Sequence, residues 1–200
     1  EVIEAIRVRP THRDIRQPGL GVGGYCLTKD PLFAKWAATE LFDRPDLEFP
    51  FSERAVAVNE AMPLAAVRLV ERGLGGLRDR RLLLLGVSYR QDVDDTRCSP
   101  SETFAREAAA LGARLWVHDP LVRRWHEMGL DVEAAMPPAG DFDAVVFAVP
   151  HGFYRRLDMT AWLGKAAPLV VDANNVLDHG QREAARRAGC RVLSIGRGES

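Results

Sequence analysis

The stretch LLLLGVSY, residues 82–89, decides the fold. Four consecutive leucines cannot alternate between a buried and an exposed face, so the run predicts a strand that is covered on both sides. Similar apolar runs follow, with helical segments such as SETFAREAAALG (101–112) among them. They are RLWVHDP (114–120), DAVVFAVPH (143–151), LVVDANN (169–175) and RVLSIG (191–196). This alternation predicts a doubly wound α/β domain, whose parallel sheet binds ligands beyond the carboxyl ends of its strands.

Upstream of this domain the pattern is helical. PLFAKWAATELF (31–42) and SERAVAVNEAMPLAAVRLVERGLG (52–75) repeat apolar residues at helical spacing. The second helix should begin at a cap on Ser52 and end at its last glycines, with Pro63 bending or splitting it. Because it is apolar on most sides, it is either an ordinary core helix or a helix at a subunit interface. We therefore expect a helical region over 1–76 and the doubly wound domain over 77–200.

Composition excludes several classes of function. The 27 basic and 28 acidic residues nearly cancel, which argues against nucleic acid or an anionic membrane as partner. No apolar run approaches the roughly 20 residues that span a bilayer, and no signal peptide opens the chain. The three cysteines are widely spaced, so they predict no disulfide framework and no zinc site, and they fit a reducing cytoplasm. The five histidines show no metal-ligand spacing, and we assign them no role and expect no metal.

A glycine loop, PGLGVGGYCLTKDP (18–31), contains a literal G-x-G-x-x-G at Gly19, Gly21 and Gly24. A dinucleotide fingerprint needs a buried strand directly before its first glycine. The preceding THRDIRQP (11–18) is polar and ends in proline, so it cannot form a central strand. We reject the fingerprint, although the glycines still allow a ligand to approach the backbone closely.

The same loop presents a thiol. Cys26 lies just ahead of a helix that Asp30 and Pro31 are expected to begin, or in its first turn, where the free amides favour a thiolate. Lys29 adds a positive charge, and Asp30 could hold a water molecule or steer a proton. A lone cysteine is more often a small buried apolar residue, so the residues alone leave both interpretations open.

Three motifs together resemble the UDP-glucose/GDP-mannose dehydrogenase family. The glycine loop is similar to the family's active-site segment, roughly G-x-G-G-x-C-x-x-K-D. GVSYRQDVDDTRCSPSETF (86–104) is similar to the family's G-x-x-F-K-x-x-x-x-D-x-R-x-S-P. VVDANNVLD (170–178) followed by RVLSIGRG (191–198) resembles its strand, nucleotide-contact loop and terminal strand. The motifs occur in family order over nearly the whole chain.

The resemblance implies part of an NAD-dependent nucleotide-sugar 6-dehydrogenase, which oxidises the C6 alcohol of a UDP- or GDP-sugar to a uronate in two hydride transfers. The chain would hold the end of the central region and the Rossmann-like domain that binds the nucleotide-sugar. The NAD-binding domain and two upstream catalytic residues would be missing, in line with a chain that opens at Glu1 in what resembles mid-helix. We expect no activity from the chain alone, and a homodimer through residues 52–75.

The family's pattern also assigns roles. Cys26 matches the nucleophile, which passes through a thiohemiacetal and a thioester, and Asp30 matches an acid that assists hydrolysis. Lys29 and Arg97 match residues that contact NAD. The residues matched to substrate binding are Gly21, Gly23, Gly24, Arg90, Asn174 and Arg13.

Some of these matches depart from the family's pattern. Arg90 replaces a lysine, and Asn174 stands where arginine is frequent, so a neutral amide replaces a charge. Arg13 is matched on loose spacing, and a solvated arginine is the alternative. Asp95 either orients Arg97 or caps the next helix, and Cys98 matches no role.

Two other functions are consistent with parts of the sequence. The chain could be a stand-alone module that binds a nucleotide-sugar and dimerises without redox activity. An unrelated Rossmann methyltransferase or reductase would need a glycine-rich turn after the leucine run, and GVSYR (86–90) supplies one glycine.

Overall fold

A computed structural model describes residues 2–15 and 17–196. Residues 81–194 form a five-stranded sheet in the order β2-β1-β5-β6-β7, and every neighbouring pair is parallel. The strands are β1 (Arg81–Leu85), β2 (Arg114–His118), β5 (Ala144–Phe147), β6 (Leu169–Asp172) and β7 (Val192–Ser194). A small antiparallel hairpin, β3 (Arg124–Trp125) with β4 (Leu130–Asp131), lies between β2 and β5 and was not predicted. The prediction of a doubly wound α/β domain is confirmed.

Helices cover both faces of this sheet, and four of the helices precede it in the sequence. They are α1 (Val2–Arg7), α2 (Tyr25–Lys29), α3 (Phe33–Glu40), α4 (Pro50–Leu74), α5 (Pro100–Ala110), α6 (Gly152–Arg155), α7 (Met159–Leu163) and α8 (His179–Arg187). Short 3₁₀ turns lie at Pro10–His12, Asp30–Leu32 and Ala139–Asp141. Helix α5 begins as its sequence predicts, because the Ser99 side chain accepts a hydrogen bond from the Ser101 amide and Pro100 occupies the first turn.

The leucine run explains why the sheet has two cores. Leu82 and Leu84 point to one face, where they pack with the second half of α4 and with α5. Leu83 and Leu85 point to the other face, where they pack with α6, α7 and α8. All four leucines are fully buried, as expected for a central strand whose alternate side chains enter opposite cores.

Helix α4 begins differently from its prediction. It begins at Pro50 with Phe49 as a cap residue that makes no side-chain cap bond, so the expected cap on Ser52 is wrong. It runs unbroken through Pro63, so it is not split. It ends as predicted, at Gly75, which adopts the left-handed conformation (φ 71°) that favours glycine.

The strand order creates a crevice at the carboxyl edge. β1 is followed along the chain by β2 on one side, while β5 and the later strands continue on the other side. In an open parallel sheet the loops at such a reversal diverge, and ligands bind between them. The loops after β1 and β5 therefore mark where a site is expected.

Candidate functional site

The glycine loop lies against the segment that follows β1. The Gly24 amide donates a hydrogen bond to the Cys98 carbonyl (3.3 Å). A Cβ atom on Gly23 would lie 2.7 Å from the Cys98 oxygen and 2.9 Å from Cβ of Tyr89, and one on Gly24 would lie 3.0 Å from the Tyr89 ring. The fold thus brings the first two sequence motifs into direct contact, which only glycine at these positions allows.

A second contact ties the loop to α4. The Asn59 side-chain oxygen accepts a hydrogen bond from the Val22 amide, and its NH₂ group donates to the Val22 carbonyl (2.8 Å each). The neighbouring Gly21 has φ +130°, and its missing Cβ faces the Asn59 backbone. Sequence reasoning missed Asn59, and its one signal is a lone amide within an alanine- and valine-rich helix.

The loop presents Cys26 to solvent. Its thiol is exposed and lies in the first turn of the separate short helix α2, rather than ahead of the helix α3. The side chain of Asp30 makes no helix cap, which corrects that expectation, and instead accepts a hydrogen bond from Lys29 Nζ (2.7 Å). This hydrogen bond raises the pKa of Lys29 while burial opposes it, and the charges of Asp30 and of the Cys26 and Cys98 thiols raise it further. A permanent cation therefore lies near both thiols.

Two neighbours orient the Arg97 side chain. Its guanidinium forms a bidentate pair with Asp95 (Nε to Oδ1 2.8 Å, Nη2 to Oδ2 2.6 Å). It also lies 4.8 Å from the ring centre of Tyr25, next to Cys26 in the chain. The hydrogen bond from Arg97 lowers the pKa of Asp95 to about 2. Of the two roles considered for Asp95, the structure has the one that orients Arg97.

Arg90 and Asn174 lie at the same carboxyl edge but differ in availability. Arg90 is exposed, and its guanidinium lies 5.8 Å from the Tyr89 ring centre. The Asn174 side chain donates to the Ala148 carbonyl (2.9 Å), and a Cβ on Gly19 would lie 1.9 Å from its oxygen. Asn174 thus joins the end of β5 to the start of the glycine loop.

Arg13 stays apart from this cluster. It follows the turn Pro10–His12 and is exposed, and within residues 2–15 and 17–196 its guanidinium makes no hydrogen bond or ion pair. The expected motif residues Arg197 and Gly198 lie outside the described part of the chain. Within that part no cluster of His, Cys, Asp and Glu side chains is arranged to hold a metal ion, and no helix is long and apolar enough to cross a membrane.

Two family models match the chain. The central domain of the UDP-glucose/GDP-mannose dehydrogenase family matches residues 1–61, and the UDP binding domain of the same family matches residues 83–179. The chain belongs to the UDP-glucose/GDP-mannose dehydrogenase family. The resemblance drawn from the three motifs is confirmed.

Several proteins similar to this chain are named as dehydrogenases of nucleotide-sugars. UDP-N-acetyl-D-mannosamine dehydrogenase of Pyrococcus horikoshii is 29% identical over 184 residues, which is 88% of this chain and 41% of that protein. NDP-N-acetyl-D-galactosaminuronic acid dehydrogenase from Methanosarcina mazei Go1 superposes with a TM-score of 0.78 at 28% identity, covering 92% of this chain and 40% of that one. A UDP-glucose dehydrogenase from Pyrobaculum islandicum gives 0.73 at 30% identity, covering 98% and 43%. The chain therefore spans about two fifths of the length of these relatives.

Proposed function

We propose that the chain is part of an NAD-dependent nucleotide-sugar 6-dehydrogenase, which oxidises the C6 alcohol of a UDP- or GDP-sugar to a carboxylate. The observation that carries this proposal is the contact between the Cys26 loop and the carboxyl edge of the doubly wound sheet. The exposed thiol of Cys26 lies on one of the loops that meet at this edge, and Arg90 and Arg97 lie on the other. One ligand could therefore contact the thiol and an arginine at the same time. Membership of the family supports the reaction class.

Cys26 is the proposed nucleophile. After the first oxidation its thiolate adds to the C6 aldehyde, forming a carbon–sulfur bond and a thiohemiacetal. The thiohemiacetal loses a hydride to become a thioester, and water then cleaves the carbon–sulfur bond to release the carboxylate and the thiol. The Lys29 cation stabilises the developing oxyanion, and Asp30 accepts a proton from the attacking water.

NAD, when bound, accepts one hydride, so the two oxidations would use two NAD molecules in turn. The part of its site that this chain could supply consists of the exposed cations Lys29 and Arg97, which suit a pyrophosphate. In the described residues the single G-x-G-x-x-G follows no strand, so we propose that another domain binds most of the dinucleotide. On this proposal the chain alone reduces no NAD.

The nucleotide-sugar is proposed to lie along the carboxyl edge, with its diphosphate on Arg90. The missing Cβ atoms of Gly21, Gly23 and Gly24 face protein atoms, so packing already explains these glycines. Their part in substrate binding is proposed through backbone groups. The Asn174 amide is engaged with the Ala148 carbonyl, so we propose that it positions the loop rather than neutralises phosphate. For Arg13 no contact supports more than a solvated role.

A homodimer through the first half of α4 is part of the proposal. Phe51 is 92% exposed and Val58 46% exposed on this helix, and Trp36 on the neighbouring α3 is 56% exposed. Several large apolar side chains exposed on adjacent helices favour an interface. Light scattering should show a dimer for the wild type and a monomer for Val58→Asp, with Arg68→Asp on the exposed side of the same helix as control. A wild-type monomer at micromolar concentration would remove the dimer.

The central test is the Cys26→Ser variant of the full-length protein, assayed by NAD reduction with UDP-glucose, UDP-N-acetylmannosamine and GDP-mannose. We expect kcat to fall by at least about 10³-fold, since loss of a covalent nucleophile has effects of this size or larger. Cys98→Ser is the matched control and should keep the wild-type rate. An undiminished rate for Cys26→Ser would show that the nucleophile assignment is wrong.

The alternative is a module that binds nucleotide-sugars without redox activity. It is favoured by the doubly wound sheet, which has a hydrophobic core on each face, one of them shared with α4. It predicts that the full-length protein binds UDP or GDP but reduces no NAD with any of these sugars. The same assay therefore decides between the two functions.

A further inference from the structure

A buried polar cluster lies behind the loop that carries Arg90. Its members are Ser88 after β1, Asp119 after β2 and His151 after β5, and each has 0% of its surface exposed. The loops that follow β1, β2 and β5 thus each contribute one side chain to this cluster. None of the three was assigned a role from the sequence.

The hydrogen bonds of His151 define its protonation. Its Nδ1 accepts a hydrogen bond from the Asp92 amide (2.9 Å), so Nδ1 carries no hydrogen. Its Nε2 therefore donates, to the Asp119 carboxylate (3.1 Å), and lies at the same distance from Ser88 Oγ. The ring thus connects the far end of the 88–92 loop with the aspartate behind it.

Asp119 fixes the near end of that loop. Its Oδ2 accepts hydrogen bonds from the amides of Val87 (2.9 Å) and Ser88 (3.3 Å), and its Oδ1 accepts from Leu121 (2.9 Å). Burial opposes ionisation, but the hydrogen bond from His151 and these amides keep the pKa of Asp119 below its usual value. A carboxylate held in this way anchors the loop with charge-assisted hydrogen bonds.

The cluster contains serine, histidine and aspartate, but its geometry excludes a hydrolytic triad. Ser88 Oγ donates its hydrogen to the carbonyl oxygen of Arg90 (2.9 Å), so the hydroxyl is not held for attack on a substrate. No substrate can reach it, because all three side chains are fully buried. The hydroxyl instead fixes the backbone of Arg90.

We propose that His151 is a positioning residue for the nucleotide-sugar. It holds the 88–92 loop at Asp92 and, through Asp119 and Ser88, at Val87 and Arg90, so that the Arg90 guanidinium faces the diphosphate. Asp92 completes the clasp, because its side chain accepts a hydrogen bond from the Gly152 amide (2.9 Å). This inference rests on the proposed function, in which Arg90 binds the diphosphate.

The test compares His151→Ala, Ser88→Ala and Arg90→Ala in the full-length protein, with UDP and GDP as calorimetric probes. His151→Ala should raise Kd for the nucleotide and KM for the nucleotide-sugar about tenfold, as for one misplaced charge-assisted hydrogen bond, with kcat and KM for NAD within about threefold. His151→Asn should recover part of the affinity, because its side-chain oxygen can accept from the Asp92 amide. Ser88→Ala should give a smaller loss and keeps the test open if His151→Ala fails to fold.

Coupling and a matched control separate positioning from general destabilisation. Trp162→Phe removes a half-buried N–H group that donates to the Pro137 carbonyl rather than to the 88–92 loop or to the cluster behind it, so its nucleotide affinity should match the wild type. The double variant His151→Ala/Arg90→Ala should bind no more weakly than Arg90→Ala, because both changes remove one interaction.

Three outcomes would overturn the inference. If Arg90→Ala weakens binding while His151→Ala and Ser88→Ala do not, the positioning role is wrong and the proposed function stands. Additive losses in the double variant would mean that His151 does not act through Arg90. A wild-type protein that binds neither UDP nor GDP would overturn the proposed function and this inference together.

Discussion

Two loops meet at the carboxyl edge of the sheet, and they are held in different ways. The 88–92 loop is held by buried polar side chains, among them Asp119 and His151, which have no exposed surface. The glycine loop presents Tyr25, Cys26 and Lys29 to solvent and is held by backbone contacts and by the side chains of Asn59, Asn174 and Arg97. The nucleotide side of the proposed site is thus part of the domain core, whereas the thiol side is attached to its surface.

The strongest test of this difference is truncation of one leucine in each region. Leu84 is fully buried in β1 and Leu27 is 67% exposed in α2. Leu84→Ala should lower the free energy of unfolding by about 2–5 kcal/mol, because it leaves a cavity between two packed layers. Leu27→Ala should change it by less than about 0.5 kcal/mol. Urea denaturation measures both, and equal losses would contradict the comparison.

The next test adds one methyl group where the loops touch. In Gly23→Ala the new Cβ would lie 2.7 Å from the Cys98 carbonyl oxygen, so the glycine loop must move away from the sheet. We expect kcat/KM to fall about 100-fold, as for a misplacement of about 1 Å, and stability to fall by about 1–3 kcal/mol. Gly140→Ala, whose Cβ would meet only Ala166 at 3.5 Å, is the control. Wild-type kinetics for Gly23→Ala would show that the contact does not position Cys26.

The sheet was predictable because burial imposes a pattern on neighbouring residues. LLLLGVSY and LVVDANN are continuous apolar runs, and each contains a central strand of the sheet. The start of α5 was predictable for a different reason: a serine that caps a helix and a proline in the first turn act within a few residues of each other. The hairpin of β3 and β4 was missed because strands of two residues are too short to show a pattern.

The site was predictable only in part, because its supporting contacts are distant in sequence. Resemblance pointed to Cys26 and Arg90, whose roles remain proposals. His151 lies 32 positions from Asp119 and 59 from Asp92, and Asn59 lies 37 positions from Val22. The strand order and the packing of α4 create these contacts, and neither residue type nor local spacing predicts them. His151, which has no metal-ligand spacing, was therefore assigned no role from the sequence.

Asn59 allows a milder test of how the thiol side is attached. Asn59→Ala removes both hydrogen bonds to Val22, whose backbone can then reach water because that residue is 49% exposed. The loss of stability should therefore be about 1 kcal/mol. The reaction of Cys26 with iodoacetamide should change rate, since the loop loses its tie to α4. Glu60→Ala, next to it on the same helix, should alter neither, and an unchanged Cys26 rate in Asn59→Ala would mean that the other contacts of the loop hold it without Asn59.

The smallest expected effect concerns the charged pair that joins the two loops. Asp95 belongs to the segment after β1, and its partner Arg97 lies on Tyr25 of the glycine loop. The pKa of Asp95 is about 2 in the folded chain, below the ordinary value of about 3.9, so its contribution is complete above about pH 5 and is lost progressively as the pH falls through 2 towards about 1.

Because the Arg97 side chain is 58% exposed, this contribution should stay below about 1 kcal/mol. Asp95→Asn should therefore be slightly less stable than the wild type in urea at pH 7, and the difference should be much smaller at about pH 2. High salt at pH 7 should reduce it as well, since exposed charges are screened. A difference that is the same at pH 7 and pH 2 would mean that Asp95 acts through its shape and through the hydrogen bond that its side chain accepts from the Arg97 amide, rather than through its charge.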